Sequence, residues 1–549
     1  MASSLFRDGG MRARQTETGY EMADHLKLCV IGSGAMGIYL VNRLVADRIP
    51  ASIEVFEATD EAGTGMPYRQ GTNADYMLCN AFSREIPPIT RPLIDWLESR
   101  PPRELSEWEL STHDLSPRAF YPRTLIGEYL SSEFDALCCK AKNAGFDLII
   151  NTCCNVTDIS VNGGQARVTY AKDGEEAHKQ FDIVIIATGH KWPAVPTIDD
   201  VQLVSPWPYS NIEALPDANI GVLGSSLSAI DAVIALGHAH GHFDDHSDHI
   251  TWHPNSAESG LRVTMVSRTG VMPEGDFYYP FPYEPLQHLT EDAVAAEIAK
   301  GKDGLLQRTF ALLCAELDAS DPSYLKHLGK AARTLEGFAP GYFSHRQEIG
   351  GLAAVKDDLA ETRKSMKQRQ TVPHRYALLR GHEVFGEVLR HLSDADYKQF
   401  SKDLMPVFGD CYAAVPHLSL ARIVAMYDAG VLELLATVDN ARFSQSEEGQ
   451  ISVETEDGRR TFQAVIDARG QSAEPLSKLP FPSLAACFPV DSTPVLEPFR
   501  LDIGASGCAQ IYCLALPQIL ERYPFSQGLA NCDKLAKDVV SDVADRLAS

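Results

Sequence analysis

The sequence predicts an α/β protein built from two dinucleotide-binding domains and a mostly helical insertion, and three observations predict it. A glycine-rich turn stands between an apolar strand-like run and an amphipathic helix close to the start of the chain. A second, degenerate strand–turn–helix unit begins at residue 219. From residue 285 the strand-like runs give way to apolar residues at helical spacing. A chain of 549 residues has room for two or three packed regions. Its 49 Lys+Arg against 74 Asp+Glu leave a net charge of −25. That balance argues against nucleic acid and against an anionic membrane surface as partners.

Residues 1–25 mix Arg7, Arg12 and Arg14 with Asp8, Glu17 and Glu21 and lack the apolar segment of a secretory signal. They are expected to form a mobile leader, with Met22 as an alternative start. No run approaches the roughly 18–20 apolar residues of a membrane span. The 12 cysteines show no CxxC spacing, and Cys138-Cys139 and Cys153-Cys154 are neighbours, which rarely bridge. Reduced thiols in a cytoplasmic protein are expected.

The first domain is expected over residues 26–215. The run Leu28-Cys29-Val30-Ile31 reads as a buried parallel strand. Gly32-Ser33-Gly34-Ala35-Met36-Gly37 follows at once, then an amphipathic helix, then a second strand that ends on Glu57. This is the GxGxxG fingerprint of a dinucleotide fold in its required context. Gly32 makes the turn, Gly34 lets backbone approach a pyrophosphate, and Gly37 lets helix pack on strand. Glu57 is placed to accept hydrogen bonds from a ribose and to repel a 2′-phosphate. A further apolar run, 181–186, ends in Ala187-Thr188-Gly189-His190. In flavoproteins with two dinucleotide sites such a strand closes the FAD domain, so FAD is the expected ligand of this cleft.

The second domain is expected over 216–284. Asn219 to Leu223 reads as a strand and Gly224-Ser225-Ser226 as the turn, with Ser226 and Ala229 where the later glycines would stand. Both replacements are small enough for close phosphate approach. The matching strand, 262–266, ends in Ser267-Arg268 rather than an acid. A hydroxyl and a guanidinium suit a 2′-phosphate, so NADPH is expected there. Between them, His238, His240, His242, His246, His249 and His253 lie within 16 residues. Their Gly- and Asp-rich setting reads as a polar connection, and no metal is assigned.

Residues 285–404 form the expected helical insertion, a substrate pocket or an interface, with Leu306, Phe310, Leu313 and Leu317 at helical spacing. Its pairs His345-Arg346 and His374-Arg375 are either anchors for an anionic substrate or solvated helix faces. Residues 405–549 are expected to complete the FAD domain, with the run 464–466 and its turn Asp467-Ala468-Arg469-Gly470 resembling that domain's closing strand. Residues 524–529 are expected to cover the flavin's edge. The whole is a Rossmann-like, glutathione-reductase-type architecture.

Further marks are Gly65-Met66-Pro67-Tyr68, Met77-Leu78-Cys79-Asn80, Phe120-Tyr121-Pro122-Arg123 with Gly127-Glu128-Tyr129-Leu130, Ser205-Pro206-Trp207-Pro208 and Val266-Ser267-Arg268-Thr269-Gly270. With these the chain resembles bacterial flavoproteins that carry paired FAD and NAD(P) sites and are related to class B flavin monooxygenases, among them the L-aspartate N-monooxygenases that form nitrosuccinate. The likeness is good over 26–275, poor over 285–400 and loose after 405. It implies hydride transfer from NADPH to FAD, reaction with O₂ to a flavin C4a-(hydro)peroxide, and N-hydroxylation of a small amine or amino acid. The cofactor supplies that chemistry, so no catalytic residue is assigned. Asn80, Arg123 and Val156 join the residues implied to contact FAD. The substrate does not carry over, because the insertion helps to shape its pocket, and homo-oligomerisation stays open. An FAD/NAD(P)H reductase or oxidase, or a nucleotide-binding protein without turnover, are the alternatives. A disulfide reductase is disfavoured because Cys79 has no partner at short spacing, and a Baeyer–Villiger enzyme because its FxGxxxHxxxW signature is not found.

Overall fold

The computed structural model describes residues 26–548, apart from 193–194, 246–248, 413, 439–440, 491–494, 497 and 505–508. The leader 1–25 and His246 therefore lie outside the described residues.

Two parallel sheets organise the chain. In the first, the strands Leu26–Ile31, Ala51–Phe56, Leu148–Asn151, Ile183–Ile186 and Gln510–Cys513 run parallel, with the fingerprint strand near the centre. Leu28, Cys29 and Val30 are fully buried, as strands covered by helices on both faces require. The fingerprint helix Ala35–Ala46 packs beneath the sheet against the C-terminal helix Leu529–Ala548. Arg43 ties the two together through Asp533 at 2.8 Å. A three-stranded antiparallel meander, Asn155–Asn162, Gln165–Lys172 and Glu175–Phe181, leads into the closing strand Ile183–Ile186.

The second sheet repeats this plan. Asn219–Leu223, Arg262–Ser267, Leu432–Ala436 and Ala464–Asp467 are all parallel. A second meander, Phe443–Gln445, Ile451–Thr455 and Gly458–Phe462, again precedes the closing strand. This corrects the expectation for 405–549. The run 464–466 does not complete the FAD domain. It pairs with the second domain's fingerprint strand, Ile220 opposite Ala464 and Leu223 opposite Asp467, where its buried Val465 and Ile466 fill that domain's core. The chain returns to the first domain afterwards: Leu476, Leu479, Phe481 and Leu484 pack on the first sheet, and Gln510–Cys513, with a short antiparallel edge before it, joins it. The helical region is thus inserted within the second domain, between Arg262–Ser267 and Leu432–Ala436.

That region runs from Glu291–Ala299 to Met405–Tyr412. Leu306, Phe310, Leu313 and Leu317 line one face of the helix Leu305–Ser320 and are buried with Phe338, Phe385, Phe400 and Phe408 in a core of their own. Phe525, from the C-terminal segment, packs into the same core.

Candidate functional site

The first sheet opens a cleft at the carboxyl ends of its strands, where a doubly wound fold binds its ligand, and the second carries its fingerprint turn at the corresponding ends. The cleft has a volume of about 380 Å³ and is lined by Gly32, Gly34, Glu57, Val156, Ala187, Thr188 and Gly189, all expected from the sequence. Gly32 has φ +101°, and a Cβ there would lie 2.5 Å from the Ala187 carbonyl oxygen. The closing turn is therefore seated on the fingerprint turn. The fingerprint helix starts at Gly34 with no side-chain cap and no acid in its first turn. Its free N–H groups, faced by the backbone of Gly65, whose Cα would lie 3.1 Å from a Cβ on Gly34, form a cradle that fits a pyrophosphate. Glu57 is pre-oriented: Ser33 donates to its Oε2 from N (3.1 Å) and Oγ (2.7 Å), and Thr59 donates to its Oε1 from N (3.1 Å) and Oγ1 (2.8 Å).

Gly37 stands behind the cleft rather than in it, and a Cβ there would lie 2.1 Å from the Gly32 carbonyl oxygen. Gly37→Val is expected to lift the helix from the turn, cost about 1–3 kcal/mol of stability and yield protein depleted of flavin, measured by visible absorbance after gel filtration. Gly386→Ala, in open space on the helix Pro373–Leu389, is the control, expected to be neutral or to stabilise by up to ~1 kcal/mol.

Two residues expected at FAD are elsewhere. Asn80 is exposed and outside the cleft lining. Arg123 is a strut between the domains. It donates from Nε to the Leu78 carbonyl (3.1 Å), from Nη1 to Tyr209 Oη (2.8 Å) and from Nη2 to Asp231 Oδ2 (2.7 Å). Burial works against its charge, but Asp231 more than compensates and its pKa is raised. Asp231 belongs to the second domain's fingerprint helix, Leu227–His240, and is a lone acid on a buried apolar stretch, a signal the sequence did contain.

The sequence reading did not single out His190, or Gln527 within the 524–529 segment, as site residues. Both line the first cleft and are hydrogen-bonded to each other. Burial, reinforced by the charge of Arg123, lowers the His190 pKa to about 4, so its imidazole is neutral at physiological pH. The Gln527 carbonyl accepts from Tyr412 Oη of the helical region. The segment expected to cover the flavin is thus braced by the inserted domain.

At the second fingerprint turn, Gly224 has φ +112° and a Cβ there would lie 2.7 Å from the Ala468 carbonyl oxygen. The closing turn sits on the fingerprint turn as it does in the first domain. Ser225 Oγ donates to the Val271 carbonyl at 2.6 Å, and exposed Ser226 begins the helix without a side-chain cap bond. Ser267 Oγ accepts from Gly270 N at 3.1 Å. Arg268 directly follows the strand Arg262–Ser267 and is exposed.

The histidine run divides. His238 stacks on Tyr76 with centroids 3.8 Å apart, and His242 opposes His253 across a two-stranded hairpin. Among the described residues no group of three or more His, Cys, Asp or Glu is placed to hold a metal.

Arg346 and Arg375 are neither solvated nor free for an anionic substrate. Arg346 is paired with Asp410 at 2.8 Å, and Arg375 with Glu274 and Asp358, each at 3.0 Å. Beside them Asp276 is buried, and that burial with the charge of Glu85 raises its pKa to about 8. Glu85 is itself raised to about 7, mainly by burial. Both groups hold protons in the fold more tightly than in the unfolded chain. Their contribution is complete at low pH and is lost as pH rises through these values. Asp276→Asn is therefore expected to keep its Tm above that of the unaltered protein once pH exceeds about 8, by calorimetry across a pH series.

Comparison with known proteins agrees with this architecture. A family model described as FAD-NAD(P)-binding matches residues 29–191. Another, the YdhS-like middle domain, matches 290–412, which is the helical region. YdhS of Escherichia coli (strain K12) is 36% identical over 516 residues, 93% of this chain and 96% of that protein. Among solved structures, the reduced form of the ornithine hydroxylase PvdA from Pseudomonas aeruginosa aligns with a TM-score of 0.53 at 12% identity, over 95% of this chain and 99% of that one. The Kutzneria sp. 744 ornithine N-hydroxylase KtzI, solved with reduced FAD, NADP⁺ and L-ornithine, aligns at 0.50 and 12%, over 94% and 99%. These likenesses establish a shared fold along nearly the whole of each chain. Among the described residues no helix is long and apolar enough to cross a membrane.

Proposed function

The chain belongs to the YdhS-like family, and on that premise we propose that it is an NADPH-dependent FAD monooxygenase that N-hydroxylates a small amine or amino acid. The observation that carries the reading is the pair of fingerprint turns in one chain, one with Glu57 after its second strand and the other with Arg268. The first carries a carboxylate for a ribose without a 2′-phosphate, the second a guanidinium for a 2′-phosphate. FAD, when bound, supplies hydride acceptance and oxygen chemistry. The chain's own residues then bind and orient. The cradle at Gly34 and Gly65 holds the first pyrophosphate, Glu57 the ribose, and the Arg123–Asp231 strut fixes the second domain against the first. Neutral His190 and Gln527 keep the flavin end closed by the 524–529 segment, where exclusion of water protects a reactive oxygen species.

Two thiols, Cys154 and Cys532, line the first cleft, and no described cysteine is in a disulfide. The test is to purify the protein with its flavin, reduce it anaerobically with NADPH, and admit O₂ with a panel of amines. Hydroxylamine formed in proportion to NADPH consumed is the expected result. Complete recovery of the oxygen as hydrogen peroxide with every amine would make the protein an oxidase. Absence of bound flavin would sink both readings.

A further inference from the structure

The carboxylate of Glu57 is already fully engaged by this chain. A carboxylate has about four acceptor sites, and four donors take them: Ser33 N and Oγ at Oε2, and Thr59 N and Oγ1 at Oε1. A ribose hydroxyl can be accepted there only if one of these donors yields. Ser33 N and Thr59 N are backbone groups. Ser33 Oγ gives its proton to Glu57 at 2.7 Å and is itself held by Gly63 N at 3.2 Å. Thr59 Oγ1 is different, because it has a second acceptor within reach. The Glu61 carbonyl lies 3.1 Å from it, against 2.8 Å for Glu57 Oε1. A hydroxyl carries one proton and serves one of the two at a time.

Arg69 holds that hydroxyl in place. Its Nη2 donates to Thr59 Oγ1 at 2.8 Å, and the same nitrogen lies 3.8 Å from Glu57 Oε1. The guanidinium therefore balances the charge of the buried carboxylate without filling one of its acceptor sites. Arg69 and Glu57 line the same cleft, together with Cys154, whose N donates to the Glu57 carbonyl at 2.8 Å. Both partners are anchored through their backbones. The Thr59 carbonyl accepts from Cys153 N at 2.8 Å, and the Arg69 carbonyl from Asn73 N at 3.2 Å. With the heavy atoms fixed in this way, the proton of Thr59 is the part free to turn.

We infer that Thr59 and Arg69 make the first cleft selective for a flavin that carries an adenosine ribose: Thr59 turns its proton from Glu57 to the Glu61 carbonyl, Glu57 Oε1 accepts a ribose 2′-hydroxyl in its place, and Arg69 keeps the Thr59 oxygen fixed through the exchange. The exchange leaves no donor or acceptor unpaired, so the ribose is admitted without the cost of a stranded buried group. Both are positioning residues that act through Glu57. A flavin mononucleotide has no adenosine ribose to offer and gains nothing from them. The inference rests on the FAD assignment within the proposed function and is independent of the oxygen chemistry.

The test is to titrate the full chain, stripped of flavin, with FAD and with FMN by flavin fluorescence, and to displace FAD with ADP and with 2′-deoxy-ADP. The unaltered protein is expected to bind FAD more tightly than FMN. It is expected to bind ADP roughly tenfold more tightly than 2′-deoxy-ADP, the scale of one hydrogen bond to a charged group. Thr59→Val removes the acceptor that holds Arg69 off Glu57 and lets the guanidinium pair with the carboxylate directly. Arg69→Met leaves the Thr59 oxygen unheld. Each is expected to weaken FAD by roughly tenfold, to leave FMN unmoved, and to bring ADP level with 2′-deoxy-ADP. Thr59→Ser, which keeps the hydroxyl, is expected to retain the discrimination. If FAD and FMN weaken together, the two residues only support the fold and the inference is wrong. It is equally wrong if neither substitution moves the ratio of ADP to 2′-deoxy-ADP. Hydroxylamine production is scored on the same samples. The expected affinities without N-oxidation keep this inference and remove the monooxygenase reading, whereas N-oxidation with affinities indifferent to Thr59 and Arg69 does the reverse.

Discussion

Arg123→Met is expected to destabilise the protein by about 3–5 kcal/mol, read as a lowered calorimetric transition and earlier exposure of the second domain to protease. The substitution keeps an apolar stem of similar reach but leaves Asp231, already 2.7 Å from the lost guanidinium, buried without a counter-charge. Tyr209 Oη, which donates to the same Asp231 oxygen at 3.0 Å, is the remaining partner, and a neutral hydroxyl does not replace a cation. The cost therefore comes from the stranded carboxylate more than from the lost pair. It follows that the double substitution Arg123→Met with Asp231→Leu should recover most of the loss, because exchanging a whole buried ion pair for apolar groups is close to neutral. A single variant within about 1 kcal/mol of the unaltered protein would mean that the strut is solvated and carries little.

The same residue marks how far the sequence could be read. The fingerprint, its helix and Glu57 are contiguous or nearly so, and local spacing places them. The turn Asp467-Ala468-Arg469-Gly470 was also legible as a closing turn. Its domain was not, because an apolar strand ending in small residues carries the same local mark beside either fingerprint. Tertiary pairing with Ile220–Leu223 decides it. The first sheet's last parallel strand, Gln510–Cys513, is four residues long and too short for a period to register. Arg123 was implied at the flavin by the family likeness, and its partner Asp231 lies a domain away.

Arg268→Ala is expected to raise the KM for NADPH by about 10–100-fold while moving that for NADH little, the range following from loss of one or two charge-assisted hydrogen bonds to a phosphate. The argument comes from the repeated plan of the two domains. Gly32 N donates to the Phe56 carbonyl as Gly224 N donates to the Val266 carbonyl, so Ser267 stands where Glu57 does in the first domain and Arg268 is the next residue. In the first domain that position is buried, anionic and tied to Ser33 and Thr59. In the second it carries the Ser267 hydroxyl, and the exposed guanidinium of Arg268 beside it is available to a phosphate arriving from solvent. An exposed side chain of this kind contributes within about 0.5 kcal/mol to folding, so the kinetic change reports coenzyme binding and not damage to the domain. Arg268→Glu should go further and recreate the first domain's preference, with NADH becoming the better reductant. Equal losses with both coenzymes would instead place the 2′-phosphate elsewhere, and would leave the guanidinium as surface charge on an acidic protein.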